Sequence, residues 1–166
     1  MRNVRASLFT VAACALIVSM LSVNRLSGQD AQPPSAGTGV PADDPDVPLF
    51  TQTCGRCHDA ARIVATRRTK AEWQDIVTKM IEKGAEGSGA DFETVFGFLL
   101  RNYGEVFINT ATPDEITVVV GLSKKDTDAI LAFRSAHGAF ADFEALKKVP
   151  DIDVKKLETR KDAVAF

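Results

Sequence analysis

Two stretches of the chain carry apolar residues every three or four positions, the spacing that places them on one face of an α-helix. The first helix is predicted to begin at Thr69-Lys70-Ala71-Glu72, which has the form of a capping box, and to stop at Gly84. The second is predicted over Asp91–Tyr103, and a shorter helix runs from Val47 into a cysteine pair. No strand of any length is predicted, so the expected fold class is all-α.

After Gly104 a different pattern begins and nearly repeats itself. The segments Ile116-x-x-Val119-x-Gly121-Leu122-Ser123 and Leu146-x-x-Val149-Pro150-Asp151-Ile152-Asp153 are each followed by a short helical run. This arrangement predicts helix-turn-helix units in tandem. We therefore expect a small three-helix domain at 47–105 and a second helical module at 106–166.

The N-terminal residues have the features of a targeting segment. Arg2 and Arg5 precede an apolar run from Ala6 to Val23, which predicts a signal peptide or N-terminal anchor over residues 1–27. Lipidation at Cys14 is a weaker alternative. Residues 28–46 are rich in proline and aspartate and predict a flexible linker. The expected location is periplasmic or otherwise extracytoplasmic, with a possible membrane anchor.

Composition narrows the function only slightly. The chain has 166 residues and a net charge of −2, so no overall charge favours nucleic acid as a partner. Its three cysteines do not suit a disulfide framework, because pairing two of them leaves one over.

The cysteine pair points to a specific chemistry. In Cys54-x-x-Cys57-His58 two thiols can add to the vinyl groups of one haem, and the next residue then faces the iron as proximal ligand. A redox dithiol is disfavoured because no strand-helix unit is predicted beside it. A zinc site is disfavoured because it needs four ligands. Beyond this motif, the chain after the predicted leader has no third cysteine and one further histidine, His137. We expect a single covalently attached haem c.

The second iron ligand is predicted by elimination to be Met80, since the other methionines lie in the leader. An open iron, or one bound by His137 or a lysine, is the alternative; His137 precedes Gly138 and is expected to be a turn residue. Trp73 shares the apolar stripe of Met80. It is expected to cover the haem edge or donate its indole N–H to a propionate, with ordinary core packing as an equal alternative.

Residues 50–103 resemble a compact cytochrome c family that includes the haem subunits of periplasmic sulfite dehydrogenases and the cytochrome-like domains beside quinoprotein dehydrogenases. The resemblance implies that His58 and Met80 ligate the iron. The chain departs from the family pattern at Phe98, where a tyrosine is expected. The residues that carry the resemblance are Cys54-x-x-Cys57-His58, Arg68-Thr69-x-x-Glu72-Trp73, Val77-x-x-Met80, Lys83-Gly84-Ala85 and Leu99-x-x-x-Tyr103-Gly104.

Residues 106–166 resemble the tandem helix-hairpin-helix module of competence DNA receptors and of a photosystem extrinsic subunit. The motifs that carry this resemblance are Thr112-Pro113-x-Glu115-Ile116, Ala129-Ile130-x-x-Phe133-Arg134 and Gly138-x-Phe140. Such modules hold a DNA phosphate on the backbone amides of glycine-rich hairpins. Here the second hairpin has Asp151 and Asp153 at the glycine positions, and nine Lys and Arg face ten Asp and Glu, a net charge of −1. These charges therefore disfavour DNA as a partner.

Together these features predict a mono-haem electron-transfer protein without enzymatic activity. Its expected partners are redox proteins such as a periplasmic dehydrogenase or a membrane oxidase chain, with the second module for docking. The alternative is an envelope DNA-binding or scaffold protein in which the haem is structural or sensory. A haem enzyme is disfavoured because Met80 would fill the open coordination position.

Overall fold

A computed structural model describes residues 39–166, which group together by their contacts. The predicted leader, with Cys14, and residues 28–38 of the predicted linker lie outside the described residues. Within 39–166, no helix has the length and apolar character needed to cross a membrane.

The first half of this region contains four helices: α1 Val47–Cys54, α2 Ala60–Ile63, α3 Lys70–Glu82 and α4 Gly89–Tyr103. Helix α3 begins as predicted, because Thr69 and Glu72 form a capping box at its N-terminus. Helix α4 begins two residues before the predicted Asp91, since Ser88 is its cap and Asp91 closes a second capping box. The short helix α2 was not predicted. These helices bury one apolar cluster, with Phe50, Trp73, Val95, Phe98 and Leu99 at its centre.

The second half contains the strand β1 Val106–Phe107 and the helix α5 Pro113–Glu115, which continues as a π-helical turn over Ile116–Val120. It then forms α6 Lys124–His137, α7 Phe143–Leu146, α8 Val154–Thr159 and the strand β2 Val164–Ala165. The two strands pair in parallel, Val106 with Val164 and Phe107 with Ala165. At two residues each they are too short to leave an alternating pattern in the sequence, and the fold class is all-α, as predicted. A second apolar cluster fills this half, with Ile108, Ile116, Ile130, Leu146 and Leu157 fully buried.

Residues 39–46 are not a free tether, contrary to expectation. The Tyr103 hydroxyl donates a hydrogen bond to the Gly39 carbonyl oxygen at 2.7 Å, and Asn102 donates one to the Asp44 carboxylate at 2.8 Å. Asp46 accepts a hydrogen bond from Arg101 at 2.5 Å. The proline-rich composition of the segment does not predict these contacts, because the residues that bind it lie more than fifty positions further along the chain.

The two halves meet at the C-terminal end of α4. Arg67 donates hydrogen bonds to the carbonyl oxygens of Asn102 and Gly104, both at 3.1 Å, and two more to the Asp162 carboxylate. Arg160, near the C-terminus, donates to the Val119 carbonyl oxygen at 2.8 Å and also to that of Arg101. Each arginine therefore joins a segment of one half to a segment of the other.

Gly104 lies where this junction leaves no room for a side chain. A Cβ atom there would overlap the Leu100 carbonyl oxygen and come within 2.7 Å of Val119 Cγ2. We expect Gly104→Ala to lower the free energy of unfolding by about 1–3 kcal/mol, the usual cost of overpacking, as measured by urea denaturation of the haem-loaded protein.

Gly89 is the matched control, because a Cβ there meets no atom within 4 Å. Gly89→Ala should leave the unfolding free energy unchanged or raise it by up to about 1 kcal/mol, since alanine favours helix. Equal effects of the two substitutions would contradict the close contact at Gly104.

Candidate functional site

A cavity of about 410 Å³ opens between the cysteine motif and helices α3 and α4. This volume lies within the range of roughly 300–1,000 Å³ that is common for ligand and cofactor pockets. All five site residues expected from the sequence line it: Cys54, Cys57, His58, Trp73 and Met80. The structure thus brings together residues that the sequence separates by up to 26 positions.

The cysteine motif forms one rim of the cavity. Cys54 is the last residue of α1, and the Gly55 amide closes that helix by donating to the Thr51 carbonyl oxygen at 2.8 Å. Cys57 and His58 follow in a turn that ends at Asp59, whose carboxylate caps α2 by accepting a hydrogen bond from the Ala61 amide. Cys54 is half-buried, whereas Cys57 and His58 are exposed.

The setting of Cys54 does not favour a redox dithiol. Burial raises the pKa of the Cys54 thiol to about 11. Catalytic Cys-x-x-Cys pairs have a thiol with a lowered pKa, because the thiolate is the reactive form. Within residues 39–166, no group of three or more His, Cys, Asp or Glu side chains is placed to hold a metal ion.

Helices α3 and α4 line the cavity mainly with apolar side chains. Helix α3 contributes Ile76, Val77 and Met80, which follow Trp73 at intervals of three or four residues and therefore share its face. Helix α4 contributes Phe92, Val95 and Leu99. The helical spacing of these α4 residues indicates a shared buried face, but spacing alone does not show that they also line a cavity.

Trp73 has its indole N–H engaged within the protein. Its ring is fully buried, and Nε1 donates a hydrogen bond to the Tyr103 carbonyl oxygen at 3.0 Å. The expectation that this N–H could serve a haem propionate is therefore wrong, because a backbone acceptor already holds it. Trp73 therefore lines the cavity without a free indole N–H.

The charged residues on the cavity wall are all cationic. Arg62, Arg68 and Lys83 line it, and no carboxylate of the described residues does. Lys83 thus keeps the lysine alternative for the second iron ligand open. His137 is not on the cavity wall: it is the exposed last residue of α6, and its ring lies 4.3 Å from that of Phe133. The next residue, Gly138, has a φ of 90°, which places His137 at a turn.

The two hairpins of the second half are linked by a buried carboxylate. Asp126 accepts hydrogen bonds from the Ser123 hydroxyl at 2.6 Å and from the backbone amides of Ser123 and Asp153, both at 3.3 Å. The hydrogen bond from the Ser123 hydroxyl is the main reason why the pKa of Asp126 lies below its usual value. One amide of each hairpin therefore donates to an anion that the protein itself supplies.

Comparison with protein families finds a match for each half of the chain. The haem-binding domain of the quinohemoprotein amine dehydrogenase A alpha subunit matches residues 38–85, and the helix-hairpin-helix motif matches residues 101–164. These matches are consistent with the expected fusion of a haem-binding segment to a helix-hairpin-helix motif.

Two curated proteins are similar to about a third of this chain each. An endonuclease/exonuclease/phosphatase family domain-containing protein 1 from Danio rerio is 43% identical over 53 residues, which cover 32% of this chain and 10% of that protein. An uncharacterized protein from Haemophilus influenzae is 38% identical over 60 residues, covering 36% of this chain and 54% of that protein. The chain thus spans about a tenth of the first relative and about half of the second. No solved structure matches it.

The hydrogen bond of Trp73 gives a testable prediction. Trp73→Phe removes the donor to the Tyr103 carbonyl oxygen and part of a buried ring. We expect it to lower the free energy of unfolding by about 1–3 kcal/mol, measured by thermal or urea denaturation, and to leave the reduction potential of the haem-loaded protein nearly unchanged. A shifted potential with unchanged stability would instead identify the indole as a propionate donor.

Proposed function

We propose that this protein is a mono-haem c-type cytochrome that transfers electrons outside the cytoplasm and docks on its redox partner through the helix-hairpin-helix module. One observation carries the proposal: Cys54, Cys57 and His58 line the same cavity as Met80, and most of the other side chains that line it are apolar. The match of residues 38–85 to a haem-binding domain supports the same conclusion.

The residues around the cavity fit a covalently attached haem. Two thiols on one rim suit thioether formation at two vinyl groups, and His58 follows the second thiol directly. The aromatic and aliphatic walls from α3 and α4 would remove the apolar porphyrin surface from water. Bound there, haem would supply one centre for reversible one-electron transfer.

Met80 is the proposed second ligand. It is half-buried on α3 and faces the same cavity as the histidine of the motif. Ligation by histidine and methionine raises the reduction potential and leaves no open position on the iron. Such a centre suits electron transfer better than catalysis.

The chemistry of the cavity wall also supports a carrier. A haem enzyme needs a distal acid–base residue near the iron. Apart from the motif itself, the ionisable side chains on the wall are Arg62, Arg68 and Lys83, so no carboxylate and no further histidine of the described residues lines it.

Location and partner are proposed from the sequence. The Arg2, Arg5 and Ala6–Val23 pattern predicts export, and haem of this type is attached on the outer side of the membrane. The partner would be a redox protein such as a periplasmic dehydrogenase or a membrane oxidase chain.

A docking role for the second module is favoured over DNA binding. Asp126 occupies one amide of each hairpin, and Asp151 holds a left-handed conformation, with φ of 60°, at a position that favours glycine. An added phosphate at these hairpins would meet the carboxylate of Asp126 and would be repelled.

The Met80 assignment has a direct spectroscopic test. Met80→Ala should abolish the sulfur-to-iron charge-transfer band of the oxidised protein and lower its reduction potential, because the thioether that favours the ferrous state is lost. The protein would be produced in a periplasm that attaches haem, and the haem-to-protein ratio measured first, with a ratio of one expected.

Lys83→Ala is the control, since Lys83 lines the same cavity. It should leave the charge-transfer band and the potential close to those of the unaltered protein. A normal spectrum in Met80→Ala together with an altered one in Lys83→Ala would show that lysine, not methionine, is the ligand.

The charges of the second module predict no stable complex with DNA. Fluorescence anisotropy of a labelled duplex should not change at micromolar haem-loaded protein in about 0.15 M salt. Binding that weakens with salt and is lost in Lys124→Gln/Lys125→Gln, the pair that follows the first hairpin, would favour the DNA-binding alternative.

A further inference from the structure

The cavity wall carries cationic side chains for which an apolar porphyrin ring would provide no partner. Its lining is mostly apolar, yet it includes two arginines and a lysine and no carboxylate of the described residues. A buried or half-buried cation of this kind normally has an anionic partner, because a lone charge loses hydration without compensation.

Arg68 stands out among these cations by its position. The side chain is half-buried, and its Cζ atom lies 5.4 Å from the centre of the Trp73 ring. Its backbone is fixed as well: its N–H donates to the Tyr103 carbonyl oxygen at 3.1 Å, and its carbonyl oxygen accepts from the Glu105 amide at 2.9 Å. The guanidinium therefore extends from a rigid base along the face of a buried aromatic ring.

No carboxylate of the described residues forms an ion pair with Arg68. Glu72 is near enough for the charge of Arg68 to contribute to its lowered pKa, but hydrogen bonds from the Thr69 amide and hydroxyl are the larger cause and engage that carboxylate. The charge of Arg68 is thus left available to the cavity.

The neighbouring arginines either have partners within the protein or are exposed to water. Arg67 is held at the junction by Asp162 and two carbonyl oxygens, and Arg56 pairs with Glu86. Arg62 lines the cavity but is exposed, so water already solvates much of its charge.

We propose that Arg68 is the residue that binds a haem propionate in this cavity, with the Trp73 ring holding its guanidinium in place. This inference rests on the proposed function, because it takes haem as the occupant. The planar guanidinium can donate two parallel hydrogen bonds to one carboxylate. Stacking on Trp73 reduces the freedom that Arg68 loses on binding. Arg68 acts as a positioning residue, since it would contact the edge of the cofactor and not the iron.

The experiment compares reduction potentials of haem-loaded variants. Arg68→Gln removes a positive charge near the propionate, so the oxidised iron becomes relatively more stable and the potential falls. We expect the equilibrium constant for reduction to fall on the order of ten-fold, which corresponds to about 59 mV for one electron. The propionate bending band in resonance Raman spectra should also shift.

Arg62→Gln and Arg68→Lys are the matched variants. Arg62→Gln removes an equal charge from an exposed position on the same cavity and should change the equilibrium constant by less than about two-fold, since water screens exposed charges. Arg68→Lys keeps the charge but not the paired donors. It should restore most of the potential while the Raman band stays shifted.

The outcomes separate this inference from the function on which it rests. Equal potentials in Arg68→Gln and Arg62→Gln, with an unshifted Raman band, would overturn the role of Arg68 even if the protein carries one haem. A loss of stability in Arg68→Gln without a change in potential would also overturn it, because that is the result expected for packing on Trp73 alone. A protein that carries no haem after periplasmic production would contradict both proposals.

Discussion

The backbone carbonyl oxygen of Tyr103 accepts two hydrogen bonds, one from the indole of Trp73 and one from the amide of Arg68. Both donors line the cavity, so a single acceptor at the end of α4 fixes the wall where the two side chains lie against each other. Neither donor can move far without leaving a buried polar group unpaired, which is costly. The geometry of the site therefore depends on where α4 ends.

That helix end is also where the two halves of the chain meet. Gly104 follows Tyr103 directly, and the space beside it admits Val119 because no side chain intervenes. Arg67, from the first half, donates hydrogen bonds to the carbonyl oxygens of Asn102 and Gly104, on either side of Tyr103. Arg160, from the second half, donates one to the carbonyl oxygen of Arg101. Each half keeps its own apolar cluster. The second half is thus attached at the end of the helix whose residues Phe92, Val95 and Leu99 line the cavity.

The sequence revealed what depends on local spacing and little of what depends on distant contacts. The capping box at Thr69 and Glu72 located α3, and its periodicity placed Trp73 and Met80 on one face. The acceptor of the Trp73 indole lies 30 positions away, and its identity depends on how α3 packs against α4. The contacts of residues 39–46 could not be predicted for the same reason. Composition describes the segment itself but not the distant residues, such as Asn102 and Tyr103, that bind it.

Within residues 39–166, the distribution of charge differs between the hairpins of the second half and the cavity. At the hairpins the protein supplies its own carboxylate, and Asp126 already accepts the amides that a phosphate would need. At the cavity the reverse holds, since cations line the wall and no carboxylate of the described residues accompanies them. Because an anion is stabilised where positive charge lacks a partner, carboxylates are favoured in the cavity and phosphates are disfavoured at the hairpins. The same reasoning agrees with the proposal that the cavity holds a cofactor with carboxylates and that the hairpins do not hold a nucleic-acid phosphate.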